Sequence, residues 1–293
     1  MGERQSFTVE GPEGPYEVFF DPTRGEHKGV GFTPQYDLYQ CVQIPTGRQC
    51  LLQIASHRRF SGNLDRAAYY LRQLRAEALR VEEEYARVKT DPKEMLNYQL
   101  GFPELVASFV SEQQGRRRIN ILAFDCADEM HELSPLRNIP FVDRERIDTK
   151  TSAWILGKTL KILAFVHESN IGIGTLDITK VIVHPNGHIP ILFDWSSATS
   201  YTGGVSRDAQ RSEIMGLARA TIIALGGDPM SRTIPLEGNE EDFEPYVEIL
   251  RQLAGGRFQS ASAAHEAFYG VVTSIWTPGR FHPWTTFPLT NAA

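Results

Sequence analysis

Residues 160–199 read LKILAFVHESNIGIGTLDITKVIVHPNGHIPILFDWSSAT, and this stretch decides the fold. It predicts the end of a long helix, a loop from Ile171, and two short strands that flank the turn His184-Pro185-Asn186-Gly187. Asp194 and Trp195 follow the second strand directly. This order of helix, loop, hairpin and acid constrains the elements on either side of it.

The region before this stretch predicts a small antiparallel sheet that carries one helix. Two strand-like runs flank Pro45-Thr46-Gly47, a hairpin signal, and two more flank the polar residues 111–117. Between the two pairs, from Leu64 to Val88, apolar residues recur at steps of three and four, which predicts a helix buried along one face. The first 35 residues are rich in Gly and Pro, with one strand at Tyr16–Phe20, and are interpreted as an extension or an edge element.

The region after residue 125 predicts a mostly helical second lobe. The segment 148–168 has a helical pattern, and further helices are expected at about 208–226, 239–254 and 260–275. The Pro-rich and aromatic tail has no periodicity and is predicted to be irregular. The predicted organisation is an N-terminal extension (1–30), a first lobe (31–124), a second lobe (125–275) and a tail (276–293).

Composition excludes several function classes. The chain of 293 residues carries 30 Lys and Arg against 36 Asp and Glu, a formal net charge of −6, which is unsuited to general polyanion binding. No run of about 18 apolar residues is present, so no membrane span is predicted and a cytoplasmic location is expected. Cys41, Cys50 and Cys126 lack a CxxC spacing and are interpreted as buried thiols. The eight histidines include no HxxxH or HExxH motif, so they predict no metal site.

The order of these elements resembles the protein-kinase fold over roughly residues 30–275. In this resemblance, residues 160–199 are the end of the long second-lobe helix, the catalytic loop, a short hairpin and the metal-binding Asp motif. The implied fold class is α+β and bilobal, with an antiparallel sheet and one long helix in the first lobe and a mostly helical second lobe. Kinases use an Asp as base, an Asn and a second Asp as Mg²⁺ ligands, and a strand Lys, braced by a helix Glu, on the phosphates.

Four positions that carry this chemistry in kinases hold other residue types here. Counted back from Gly187, the metal-binding Asn falls on Lys180 and the catalytic Asp on Thr175. A Thr hydroxyl does not accept a proton as a carboxylate does, and an ammonium does not ligate a metal. The phosphate-pairing Lys falls on Gln53, and the Asp that braces the catalytic loop falls on Arg211. Either Lys180 therefore replaces the metal electrostatically, or no metal binds. The alternative is that Lys180 points to solvent from an ordinary loop.

Other positions of the resemblance are candidates for a nucleotide cleft. The first glycine of the phosphate loop falls on Gly31, but Thr33 and Tyr36 replace the later glycines that let backbone approach phosphate. Glu77 is the candidate for the bracing Glu beside Gln53, or else a solvated or hydrogen-bonded face residue. The candidate cleft residues are Gly31, Gln53, Glu77, Asp177, Lys180 and Asp194.

The two aspartates among these candidates also have competing interpretations. Asp177 lies two residues after Thr175 and would act as a base only if the loop shifted register. Asp194 matches the metal-binding Asp of the family and is the metal ligand if any metal binds. The alternative is that Asp194 caps the turn at Ser196 while Trp195 fills the core.

Together, the substitutions predict a catalytically inactive pseudokinase that serves as a protein-interaction or regulatory scaffold. The expected partner is a protein and not a nucleic acid; no cofactor is required, although ATP or another nucleotide could bind without magnesium. The alternative is a kinase-fold enzyme with a rebuilt cleft, which transfers AMP or glutamate with Asp177, Lys180 and Asp194. A small-molecule phosphotransferase, suggested by Asp194-Trp195, is disfavoured by Thr175. Sequence alone predicts neither the partner's identity nor the oligomeric state.

The aromatic tail from Trp276 to Thr290 has two interpretations of equal weight. Its large aromatic side chains, interleaved with Pro, would suit a partner surface, because such side chains dominate interface energetics. Alternatively they pack back on the second lobe. The four aromatic residues are Trp276, Phe281, Trp284 and Phe287.

Overall fold

A computed structural model describes residues 5–24, 29–88, 97–235, 243–276 and 281–289. Its contacts divide the chain into two compact units, Met1–Glu132 with Asp194–Ser197, and Leu133–Phe193 with Ala198–Ala293. The boundary between the units therefore lies later in the chain than the predicted boundary at residue 125. The short Asp194–Ser197 segment belongs to the first unit, although the sequence around it belongs to the second.

The first unit is an antiparallel sheet with one long helix, α1 (Ser61–Ala86). The strands are β1 (Gln5–Gly11), β2 (Gly14–Phe20), β3 (Gly31–Phe32), β4 (Tyr36–Gln43), β5 (Arg48–Ala55), β6 (Glu104–Ser111) and β7 (Arg117–Ala123). Their order in the sheet is β1-β2-β4-β5-β7-β6, with β3 paired to β4. The four strands and the helix predicted from residues 37 to 124 are confirmed.

The start of the sheet decides between the two interpretations of the first 35 residues: residues 5–20 form two strands at one edge of the sheet and not an extension over 1–30. β1 pairs with β2 from Gln5 opposite Phe20 to Gly11 opposite Gly14, and β2 pairs in turn with β4. Gly14 has a φ of 104°, a conformation that glycine adopts without strain, and this allows a two-residue hairpin loop. The Gly and Pro residues here turn the chain back into the same sheet rather than separating a segment from it.

Side chains on one face of the sheet form the core of the first unit. Cys50, Leu52 and Ile54 alternate along β5 and pack there with Cys41 of β4. Cys41 and Cys50 are buried as predicted, whereas Cys126 is only half-buried. Burial raises the pKa of all three thiols, to about 11 for Cys50 and Cys126, so they are protonated and weakly nucleophilic at neutral pH.

The second unit is mostly helical. Its helices are α2 (Thr149–Glu168), α3 (Arg207–Ala224), α4 (Glu244–Ala254) and α5 (Ala261–Ile275). Its strands are β8 (Ser134–Pro135), β9 (Glu145–Ile147), β10 (Ile171–Gly172), β11 (Val181–His184), β12 (Ile189–Leu192), β13 (Thr199–Ser200) and β14 (Thr286–Pro288). The β11–β12 hairpin and the four helices confirm the predicted elements, and the predicted start of α4 at residue 239 lies outside the described residues.

Side-chain caps explain where three of these helices begin. Asp148 accepts a hydrogen bond from the amide of Thr151 at 2.7 Å at the start of α2, and Ser206 does the same for Ala209 on α3 at 3.2 Å. Ser260 is the corresponding residue of α5. No helix among the described residues is both long and apolar enough to span a bilayer.

The described part of the tail packs back on the second unit. β14 pairs with β9, and the Arg146 guanidinium lies 5.3 Å from the ring centre of Phe287. Trp284 lies 6.2 Å from Trp154, between ring centres. The expectation of an irregular tail holds for residues 281–285 and fails at residues 286–288, which form an edge strand. Packing on the second lobe is the interpretation that the structure supports.

Candidate functional site: the catalytic-loop region and the strand β5

Gln53 stands on β5 at the predicted position of the phosphate-pairing Lys. Its side chain is 2% exposed, and its neighbour across the β5–β7 ladder is Asn120, also buried. The Asn120 side-chain amide donates to the backbone oxygen of Leu64 on α1 at 2.9 Å, so these positions face the helix. The structure thus places two neutral amides side by side at the position that the resemblance assigns to the phosphate-pairing Lys.

Glu77 on α1 is paired with a residue of its own helix. Nε and Nη2 of Arg80 donate to the two carboxylate oxygens at 2.9 and 2.5 Å, and the same guanidinium also contacts Glu84. These contacts lower the pKa of the Glu77 carboxyl. The structure therefore gives Glu77 the hydrogen-bonded face position, the second of its two predicted roles.

The predicted phosphate loop is a tight turn between β3 and β4. Gly31 pairs with Leu38, and the hydroxyl of Thr33 accepts hydrogen bonds from the amides of Gln35 and Tyr36 at 3.2 Å each. The Tyr36 ring is buried. Amides that would face phosphate in a glycine-rich loop are bonded within the turn instead.

The loop that follows α2 is held by a buried acid. Glu213 on α3 is 2% exposed, accepts a hydrogen bond from the Gly174 amide at 2.9 Å, and contacts Nε2 of His167 at 2.8 Å. These three residues are called the Glu213 brace below. α3 approaches the loop so closely that a Cβ at Gly216 would lie 2.0 Å from the Leu176 backbone oxygen. The backbone from Gly174 to Leu176 is therefore fixed against α3 by both a charge-assisted bond and steric contact.

This brace corrects the prediction that the bracing acid is lost. Arg211, the position reached by counting, is exposed, while Glu213 two residues later lies on the buried face of α3. A helix turns about 100° per residue, so a shift of two residues moves a side chain to the opposite face. The bracing residue is therefore identified by its contacts in the structure and not by the spacing of residues in the sequence.

Thr175 and Asp177 lie on the braced loop in different environments. Thr175 is exposed. The Asp177 carboxylate caps the short 3₁₀ turn Ile178–Lys180, with Oδ1 accepting from the Thr179 amide at 2.8 Å and from the Thr179 hydroxyl at 2.5 Å. Capping supplies a structural role for the half-buried Asp177.

Lys180 closes the same turn and is not a solvent-facing residue. Lys180 is only 6% exposed. Its backbone oxygen accepts a hydrogen bond from the amide of Phe193 at 3.2 Å, which links the turn to the end of β12. The solvent-facing interpretation of Lys180 was wrong. A buried lysine side chain is costly without polar partners, and Lys180 makes interactions besides the backbone bond to Phe193.

Asp194 and Trp195 make the contacts expected of the structural alternative. Oδ1 of Asp194, a residue 4% exposed, accepts the amide of Ser196 at 3.0 Å. Trp195 is buried, with its ring centre 5.7 Å from that of Phe102. Asp194 remains the predicted ligand if a metal binds.

The donor set does not fit the magnesium pair of a kinase. The resemblance assigns the second ligand position to Lys180, and magnesium in proteins is held by oxygen ligands, which a lysine side chain does not supply. Among the described residues, no group of three or more His, Cys, Asp and Glu side chains could hold a metal ion.

Comparison with known proteins supports the fold on which these positions rest. The chain has a protein kinase-like fold, and it is similar to three crystal structures of mutant forms of the Mycobacterium tuberculosis PknI kinase domain. They share 12%, 13% and 13% sequence identity with TM-scores of 0.54, 0.53 and 0.51. The matches cover 90%, 92% and 93% of this chain and 98%, 99% and 100% of the others. No family model and no curated protein matches the sequence.

Proposed function

We propose that this chain is a pseudokinase, a kinase-like protein that does not transfer phosphoryl groups and that acts as a regulatory scaffold for a protein partner. The observation that carries the proposal is the Glu213 brace beside Thr175. Thr175 holds the position that the resemblance assigns to the base by spacing, and the brace and the cap on Thr179 oppose a two-residue register shift that would bring Asp177 into its place.

The neutral position on β5 supports the same conclusion. Positioning and charge supply almost all of the catalysis in phosphoryl transfer, so a buried amide in place of the Lys and a hydroxyl in place of the base remove two principal contributions. A braced loop that lacks the residues for phosphoryl transfer is suited to serve as part of a rigid surface for a protein partner.

A second candidate function is favoured by the burial of Lys180. A buried lysine on a braced loop would supply a positive charge at a fixed place. A rebuilt cleft that transfers AMP or glutamate could use this charge, instead of magnesium, to bind a nucleotide.

The test is a transfer assay with ATP labelled at either the α or the γ phosphate, with Mg²⁺, Mn²⁺ or EDTA. The full chain is used alone and with generic acceptors (casein, glutamate), and Asp194→Ala sets the background. The pseudokinase proposal predicts no label above that background from either position. Protein-bound γ label that depends on Asp194 would overturn the proposal. Protein-bound α label would establish AMP transfer, and label-free glutamylation, detected by mass spectrometry, would establish glutamate transfer.

A further inference from the structure

The second unit contains a cavity of about 520 Å³ between α2 and α5. This is within the range of roughly 300–1,000 Å³ that small-molecule sites occupy. Trp154 from α2 and Phe268, Tyr269 and Trp276 from α5 and its end supply aromatic walls. The cavity lies within the second unit and includes none of the candidate cleft residues.

The polar groups around this α2–α5 cavity are basic. Lys150, Lys158 and Lys161 lie on one side of α2, at steps of eight and three residues, and all three line the cavity. The remaining titratable lining groups are His188, His265, His282 and Tyr269; none of the described lining residues is acidic. One carboxylate lies behind them: Asp148 contacts Nε2 of His282 at 2.7 Å.

The cations of the cavity destabilise one another. Burial and the neighbouring Lys161 lower the pKa of both Lys158 and His265. Burial, Lys158 and His282 lower the pKa of His188. Each group is thus harder to protonate because a second cation is near, and an anion among them would relieve that repulsion.

Trp154 and His188 line one wall of the site and belong to a stack of three rings, whose third member, Phe281, is largely exposed and does not line the cavity. The His188 ring lies between Trp154, at 4.4 Å and 10°, and Phe281, at 4.5 Å and 6°. Lys158 fixes this stack, since its Nζ donates to the His188 backbone oxygen at 2.6 Å. Parallel rings beside three lysine side chains, of which Lys158 is held by a hydrogen bond, suit a flat ligand that carries a negative charge.

We infer that the α2–α5 cavity binds a small aromatic anion, whose ring packs against the aromatic walls and whose phosphate or carboxylate lies among Lys150, Lys158 and Lys161. The ligand satisfies both halves of the site at once. A neutral ring leaves the cations uncompensated, and a bare inorganic anion leaves the aromatic walls in water.

The test uses 1-naphthyl phosphate and 1-naphthoate as probes of the two anionic groups, with 1-naphthol and inorganic phosphate as the isolated halves. Binding to the full chain is measured by calorimetry, in wild type and in Lys161→Met and Lys158→Met. Arg207→Met is the matched control, since it removes one exposed positive charge of the same unit outside the cavity. Circular dichroism and melting temperature establish that each variant is folded.

The expected result is binding of at least one naphthyl anion about tenfold or more tighter than naphthol or phosphate. Loss of a charge-assisted contact predicts a decrease of about tenfold in Lys161→Met, and Arg207→Met should leave the affinity unchanged. Lys158→Met removes the bond that holds His188 and could misfold for that reason. In that case the affinity of Lys161→Met alone tests the inference. Equal binding of naphthol and the anions, no binding at millimolar concentration, or equal losses in Lys161→Met and Arg207→Met would overturn the inference.

Discussion

The loop from Ile171 to Lys180 and the strand β5 both lack the charged group that the kinase resemblance assigns to them, but they differ in what surrounds the replacement. On β5 the replacement is a neutral amide, Gln53, beside a second buried amide, Asn120. On the loop the base position is an exposed hydroxyl, while a buried carboxylate, Glu213, still holds the backbone. In both regions the residue that the resemblance places near phosphate is uncharged, whereas the residue that holds the loop backbone is a buried acid.

The difference shows that positioning and chemistry are separable in this fold. A buried carboxylate is costly unless it is hydrogen-bonded, so Glu213 persists only with partners such as His167 and the Gly174 amide. The brace can therefore hold the loop backbone in place whether or not the loop carries a base.

Removal of the brace is expected to have the largest effect. Glu213→Ala leaves His167 and the Gly174 amide buried without their partner, so the free energy of unfolding should fall by about 3–5 kcal/mol. Urea denaturation measures it. The matched control is Glu266→Ala, an exposed position on α5, with an expected change within about 0.5 kcal/mol. Equal effects of the two substitutions would contradict the assigned brace.

The close approach of α3 to the loop predicts the next largest effect. In Gly216→Ala the new methyl would meet the Leu176 oxygen, and the required shift should cost about 1–3 kcal/mol. Gly270→Ala on α5 has open space at its Cβ and should instead stabilise by roughly 0.5–1 kcal/mol. Opposite signs in thermal denaturation are expected; stabilisation by both would show that the loop does not pack on α3.

The cap on the 3₁₀ turn predicts a smaller effect. Asp177→Ala should lower stability by about 1 kcal/mol, because it removes the acceptor for Thr179, whereas Asp177→Asn retains an acceptor oxygen and should lose less. If instead both substitutions left stability unchanged and abolished a measured transfer activity, Asp177 would be a displaced base.

The smallest effect is expected on β5. Gln53→Met replaces a neutral amide by an apolar side chain of similar length, so the change in unfolding free energy should stay below about 1 kcal/mol. Denaturation of this variant beside Glu213→Ala measures the contrast between the two regions directly. A loss at Gln53 as large as that at Glu213 would mean that the amide has a structural role equal to that of the buried acid.

The sequence predicted the elements of the fold well because their patterns are local. Alternation of apolar and polar residues predicted β4 and β5, and apolar residues at steps of three and four predicted α1. Gly14 misled the prediction, since a glycine that makes a hairpin turn and a glycine in a linker have the same local signal. The α2–α5 cavity was missed because its cations and rings come from α2, α5, the β11–β12 turn and the tail, which only packing brings together.

The candidate site was predictable in position but not in contacts. Spacing from Gly187 placed Thr175 on the loop that the structure braces, whereas a separate match of the later helix to the family assigned the brace to Arg211 instead of Glu213. Burial of Glu213 depends on the helix face that meets the loop, which the spacing of a motif does not specify. The apolar residues Ile214 and Leu217 mark the buried face of α3, and this pattern in the sequence could have identified Glu213 as the acid on that face.

Amide hydrogen exchange at Gly174 tests most directly the claim that a rigid loop has outlasted its chemistry. The bond to Glu213 predicts strong protection of this amide in wild type, close to that of the α2 core, and its loss in Glu213→Ala under conditions where α2 stays protected. Exchange of Gly174 in wild type as fast as that of an exposed loop amide would contradict the account, because the loop would then not be held.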